Sequence, residues 1–179
     1  MAGLKAEIAQ ERPFSSIEEE ALLNILRTAD CLQRTFHRIS KDWGVTSTQY
    51  NVLRILRGAH PNGLKCAAIG ERMITAEPDI TRLVSRLKAL KLVQQQRDKH
   101  DRRVVWTHIS EAGLDLLERM DPVIQRAPKD LLGHLSEEEL NTFVRLLENA
   151  RSHCVDLQKP VSCDGKSEDG SVSCEAGAA

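Results

Sequence analysis

The chain has 179 residues, of which 28% are charged and 3% aromatic, and its formal net charge is −1. That length suits one domain of ordinary size with a real apolar core, and the balanced charge excludes a protein that is basic throughout. The charge is uneven, however: positions 46–110 hold twelve Lys/Arg against five Asp/Glu, and the remainder holds thirteen against 21. A cationic middle between acidic ends predicts a local polyanion site. Composition alone is equally consistent with a solvated, helix-rich surface.

Five cysteines, Cys31, Cys66, Cys154, Cys163 and Cys174, make an odd set with no Cys-x-x-Cys spacing, so neither a metal knuckle nor a disulfide framework is expected. The N-terminus lacks a cationic-then-apolar signal segment, and no apolar run is long enough to span a bilayer. The expected setting is cytoplasmic, with no membrane partner.

Positions 1–15 read as a polar, mobile lead. Ser16-x-x-Glu19 then reads as a capping box. Leu22, Ile25, Ala29, Leu32, Phe36 and Ile39 follow at steps of three and four, a continuous helical stripe. The first long helix is therefore predicted from Ser16 to Trp43, with Gly44 as its stop. It occupies a segment, 16–45, suited to dimerisation. Thr46-x-x-Gln49 is a second capping box, opening a short helix that carries Val52, Leu53 and Leu56. His60-Pro61-Asn62-Gly63 is a turn.

A third helix fits Lys65–Met73. A fourth has Pro78 in its first turn and Ile80, Leu83, Val84, Leu87 and Leu90 inward. Val93–Arg97 and Val104–Ile109 are β-branched runs that read as a hairpin. Ser110 caps a fifth helix, which is expected to break or kink near Pro122 and Pro128. Ser136-x-x-Glu139 caps the last helix, with Leu140, Phe143, Leu146, Leu147 and Ala150 on its apolar side. Positions 111–157 form a C-terminal dimerisation segment. The tail, 158–179, has almost nothing to bury and is expected to be disordered. The predicted class is mainly α: a winged helix-turn-helix lobe (46–110) with a two-stranded β-wing, flanked by long N- and C-terminal dimerisation helices.

With the apolar set of the fourth helix inward, Asp79, Arg82, Ser85, Arg86 and Ala89 face out, and Thr81 lies at the edge. Arg82 and Arg86 are one turn apart, a spacing suited to base edges or phosphates in a major groove. In the hairpin, Arg97, Lys99, His100, Arg102 and Arg103 crowd into seven positions, a pattern suited to the negative potential of a narrow minor groove. Asp101 is expected to orient a neighbouring arginine. Thr46, Ser47 and Thr48 are placed to donate to phosphate from a helix N-terminus, although capping explains them equally well. No Gly-rich phosphate loop, paired catalytic carboxylates or metal-binding histidine spacing is present, so no enzyme and no cofactor is expected. Cys31 and Cys66 read as buried small hydrophobes, and Cys163 and Cys174 as oxidisable tail thiols.

From about Ile17 to Arg151 the chain resembles the MarR family of bacterial transcription regulators. The resemblance rests on Val45-Thr-Ser-Thr-Gln-Tyr-Asn-Val-Leu53 and Ile80-Thr-Arg-Leu-Val-Ser-Arg-Leu87. Asp101-Arg102-Arg103, Ile109-Ser-Glu-Ala-Gly113 and Leu135-Ser-Glu-Glu-Glu-Leu140 complete it in order. It implies a homodimer whose two winged lobes read a pseudo-palindromic operator in double-stranded DNA, usually as a repressor. It also implies release by a small effector, often aromatic or phenolic, bound between lobe and dimer helices. By position it gives Asp79, Thr81, Arg82, Ser85 and Arg86 on the recognition helix and Arg102 and Arg103 on the wing as DNA contacts. Two positions depart from the family: Lys91 stands where Gly is usual, and Gln95 where Arg is usual. Two alternatives remain at this level: a winged-helix protein-interaction module that does not bind DNA, and a thiol-switched form of the same regulator.

Overall fold

The computed structural model describes residues 3–158, whose contacts divide them into two units, the first ending at Leu131 and the second beginning at Leu132. Residues 159–179, with Cys163 and Cys174 and the expected disordered tail, lie outside the described residues.

In the first unit, α2 (Ile17–Lys41) starts at Ser16, whose side chain accepts from the Glu19 amide at 3.2 Å. The return arm of the expected capping box is shifted by one residue: Glu19 accepts from the Ser15 hydroxyl and amide, both at 2.6 Å. Ahead of it, where the sequence suggested only a polar lead, stands a one-turn helix, α1 (Leu4–Glu7). Leu4 is 6% exposed there, and Glu7 lies 3.6 Å from Arg27. Leu4 and Ile8, four residues apart, were the signal that the polar composition of this stretch masked.

Helix α3 (Ser47–Gly58) has the complete Thr46/Gln49 capping box. A two-residue strand, β1 (Leu64–Lys65), precedes α4 (Cys66–Gly70), so the third helix is shorter than Lys65–Met73. Helix α5 (Ile80–Ala89) is capped by Asp79, which leaves Pro78 outside its first turn. Leu90 lies just past the helix end and is 48% exposed rather than inward, because the chain has already left the buried face.

Strands β2 (Val93–Arg97) and β3 (Val105–Ile109) pair antiparallel, Val93 opposite Ile109 and Arg97 opposite Val105. β1 adds to the other side of β3, giving a three-stranded sheet of order β1-β3-β2 rather than a hairpin alone. Two residues are too few for strand alternation to be legible in sequence.

Helix α6 (Glu111–Leu132) runs unbroken through Pro122 and Pro128, against the expected break. Both prolines are exposed, so their rings stand on the outer side of the helix. Met120, Ile124 and Ala127 hold the helix to the core from its buried side. The core joins the inner faces of α3, α5 and α6 to the sheet through Leu53, Leu56, Val84, Leu87, Val93 and Leu117.

The second unit contains α7 (Glu137–Gln158). Its capping box is reciprocal: Ser136 N–H donates to Glu139 at 2.8 Å, and Glu139 N–H to the Ser136 hydroxyl at 3.3 Å. Donation from the Ser136 amide, and then from its hydroxyl, holds the Glu139 carboxyl below its ordinary pKa range. Leu140, Phe143 and Leu147 are half-buried, while Leu146 and Ala150 are exposed. Among the described residues, no helix is long and apolar enough to cross a membrane.

Candidate nucleic-acid interface

Helix α5 is two-faced. Leu83, Val84 and Leu87 are buried, and the same spacing turns Thr81, Arg82, Ser85 and Arg86 outward, where all four are exposed. Among the described residues, neither arginine forms an ion pair. The Ser85 hydroxyl donates to the Thr81 carbonyl at 2.9 Å, which leaves it free to accept. Asp79 is exposed at the helix start, but its carboxylate is engaged as the cap and accepts from the Arg82 amide at 2.8 Å. The acid therefore fixes the first turn of α5, directly below Arg82.

The wing is a closed loop. Asp98 N–H donates to the Val104 carbonyl, and Val104 N–H to the Asp101 carbonyl, each at 2.9 Å. The Asp101 carboxylate accepts from the Arg103 amide at 2.9 Å. It thus orients the neighbouring arginine, as expected from the sequence, and does so through the backbone amide. The Asp98 carboxylate accepts from the amides of His100 at 2.8 Å and Asp101 at 3.1 Å, and from Trp106 Nε1 at 3.0 Å. These bonds, led by the His100 amide, hold it below the usual carboxylate pKa range. Arg97, Lys99, Arg102 and Arg103 are all exposed around this frame and, among the described residues, free of ion pairs.

Thr46 is occupied as the α3 cap, while Ser47 and Thr48 are half-buried and line a cavity. The cavity, of about 1140 Å3, lies among α2, α3, α6 and the α4–α5 connection, lined by Phe36, Tyr50, Arg54, Ile74 and Ile124 among others. Tyr50 is 8% exposed, and its hydroxyl has no hydrogen-bond partner. Burial pushes its pKa up, and the charge of Arg54, one turn away, pulls it part-way back. Ile74, apolar yet 88% exposed, sits at the same cavity, and its amide donates to Asn51 at 3.0 Å. The lining of this cavity was not expected from the sequence. The i, i+4 pair of Tyr50 and Arg54 was visible, but only the packing of four segments makes it a site. Cys31, read as buried, is exposed and lines the same cavity, and Cys66 is half-buried.

The two departures noted in sequence have distinct consequences. Lys91 adopts a left-handed backbone with φ of 60°, so a side chain occupies a conformation that favours glycine. Gln95 pairs with Thr107 in the sheet, two residues before Arg97 on the same strand face.

The sequence profile of the MarR family matches residues 43–104, from just past α2 into the wing. A MarR transcription factor from Planctomyces limnophilus is 38% identical, over 76% of this chain and 98% of that one, with a TM-score of 0.60. The chain belongs to the MarR family. As a MarR-family protein it is a transcription regulator with a winged-helix fold, not an enzyme. The transcriptional repressor NicR of Pseudomonas putida is 31% identical, over 63% of this chain and 70% of NicR. BpsR of Bordetella bronchiseptica, whose DNA binding is regulated by 6-hydroxynicotinic acid, shares the MarR fold at 24% identity and a TM-score of 0.67, covering 78% of this chain and 98% of BpsR.

Proposed function

We propose that the chain is a dimeric, sequence-specific DNA-binding repressor, released from its operator by a small aromatic acid or phenol. The observation that carries the DNA reading is the outer face of α5. Arg82 and Arg86 stand exposed and free of ion pairs among the described residues, on a helix whose other face is locked into the core. Guanidinium groups so placed can take guanine edges or phosphates. Arg97, Lys99, Arg102 and Arg103 add an independent set of phosphate or minor-groove contacts. Thr81 and Ser85 permit close approach. Binding by a duplex selected from a random pool tests this, with Arg86→Ala expected to weaken it about tenfold or more.

Dimerisation is supported by apolar side chains that this chain alone leaves uncovered. On α2, Leu22 and Leu26 are 56% and 57% exposed, and on α7 Val144 and Leu146 are also exposed. A second copy would cover these faces, and its two-fold symmetry would demand a pseudo-palindromic operator. Sedimentation of Leu22→Glu/Leu26→Glu, expected to run as a monomer, checks this.

The cavity supports the effector. Its walls are mainly apolar, while the Arg54 cation offers a charge to a carboxylate or phenolate. The regulation of BpsR by an aromatic acid agrees with that chemistry. A ligand bound here would touch Ile74, on the connection leading to α5. By linkage it weakens DNA binding by the same factor by which DNA weakens its own binding. Thermal-shift screening of aromatic acids and phenols, followed by DNA release, identifies it. A second reading draws on the exposure of Cys31 at this cavity, which makes a thiol-sensitive variant testable. Release by peroxide that survives replacement of all five cysteines removes that reading.

A further inference from the structure

Trp106 is half-buried on β3, opposite Lys65 of β1 and Gln96 of β2. The Lys65 ammonium lies over its ring, 5.2 Å from the centroid. Its Nε1–H donates to Asp98 Oδ2 at 3.0 Å, while Asp98 Oδ1 accepts the His100 and Asp101 amides. One carboxylate therefore ties the turn at the wing tip to an indole set in the sheet, and a lysine from the third strand backs that indole. The cations that follow, Arg102 and Arg103, hang on this turn. The two parts of the carboxylate do different work: Oδ1 closes the turn, and Oδ2 fixes where the closed turn points.

We propose that Trp106 is a positioning residue for DNA binding. With Asp98 and Lys65 it forms a brace that pre-sets the wing for its groove, so that the ordering cost is not met on binding. The inference rests on the DNA reading above.

Asp98→Asn separates the brace from simple charge. Asn Oδ1 retains the two turn amides, but its Nδ2 would face the indole N–H donor to donor. Loss of a negative charge beside DNA should by itself tighten binding, whereas loss of the brace should loosen it. The experiment uses the full chain and a duplex that the wild type selects from a random pool. Affinity is measured by fluorescence anisotropy, and melting temperature by circular dichroism. Trp106→Phe, which keeps a ring under Lys65 and loses the donor, and Asp98→Asn are each expected to bind about fivefold more weakly. Melting temperatures should stay within about two degrees of wild type, the scale of a surface change. In an Arg102→Ala/Arg103→Ala background the same two substitutions should cost nothing further, because the cations they position are gone.

Tighter or unchanged binding by Asp98→Asn overturns the brace, as does a Trp106→Phe penalty that persists undiminished without the wing arginines. A wild-type chain that selects no duplex at all overturns the DNA reading itself, and the brace falls with it.

Discussion

Lys91→Gly is expected to stabilise the protein. Lys91 follows α5 with φ of 60°, a backbone that costs an L-residue about 1–2 kcal/mol relative to glycine. Its amide donates to the Lys88 carbonyl at 2.9 Å, and its own carbonyl accepts from the Ser110 hydroxyl at 2.7 Å. Glycine keeps both bonds. The side chain is exposed and forms no ion pair among the described residues, so little is lost with it. Against the gain stands the greater freedom of glycine in the unfolded chain, about 0.5–1 kcal/mol. The net is about 0.5–1 kcal/mol, or roughly 1–4 °C in melting temperature for a chain of this size. Thermal unfolding followed by circular dichroism reads it, with Lys91→Ala as the control that removes the charge but keeps Cβ. A Lys91→Gly protein that melts lower than wild type, or a Lys91→Ala protein that gains as much, refutes the strain argument.

Three further outcomes follow from the packing. Gly113→Ala should destabilise by about 1–3 kcal/mol, because its Cβ would stand 2.4 Å from the Leu92 carbonyl oxygen, which is backbone and cannot rotate away; chemical denaturation measures it. A double-mutant cycle on Arg57 and Asp121, which join α3 to α6 through bonds of 2.7 and 3.1 Å, should give a coupling of about 1 kcal/mol, more than a solvated surface pair. Tyr50 is the single tyrosine of the chain, so phenolate absorbance reads it alone. Burial raises its folded pKa; its midpoint should lie above about 10 in the folded protein and return to about 10 in denaturant. The neutral phenol is the form that the fold favours. Its contribution is therefore complete below the unfolded pKa and is lost as pH rises through the folded one.

Much of this architecture was legible because it is local. The Thr46/Gln49 box, the inward set Leu83, Val84 and Leu87, and the pairing of Val93–Arg97 with the following strand each depend on periodicity within a few residues. What was missed depends on contacts distant in sequence or on where a helix end falls. β1 exists only because Leu64 and Lys65 meet β3 some forty residues later. Pro122 and Pro128 read as breaks, but burial of Met120, Ile124 and Ala127 outweighs the lost bonds. Leu90 fitted the apolar stripe, yet the helix ends at Ala89. At the interface the outward positions of Arg82 and Arg86 followed from the helix pattern. The Asp79 cap and the Trp106–Asp98 bond needed coordinates because each turns on the direction of one side chain, and the Tyr50 cavity because four segments distant in sequence enclose it.

DNA reading by α5 and the wing is tested most directly by the affinity of the full chain for its selected duplex across a salt series, with Arg82→Ala/Arg86→Ala beside the wild type. The expected result is tight, specific binding that falls steeply with salt, by about 0.9 in the log–log slope for each phosphate contacted, and a double variant at least about a hundredfold weaker. A wild type whose binding ignores salt, or a double variant that binds the same duplex equally well, contradicts it.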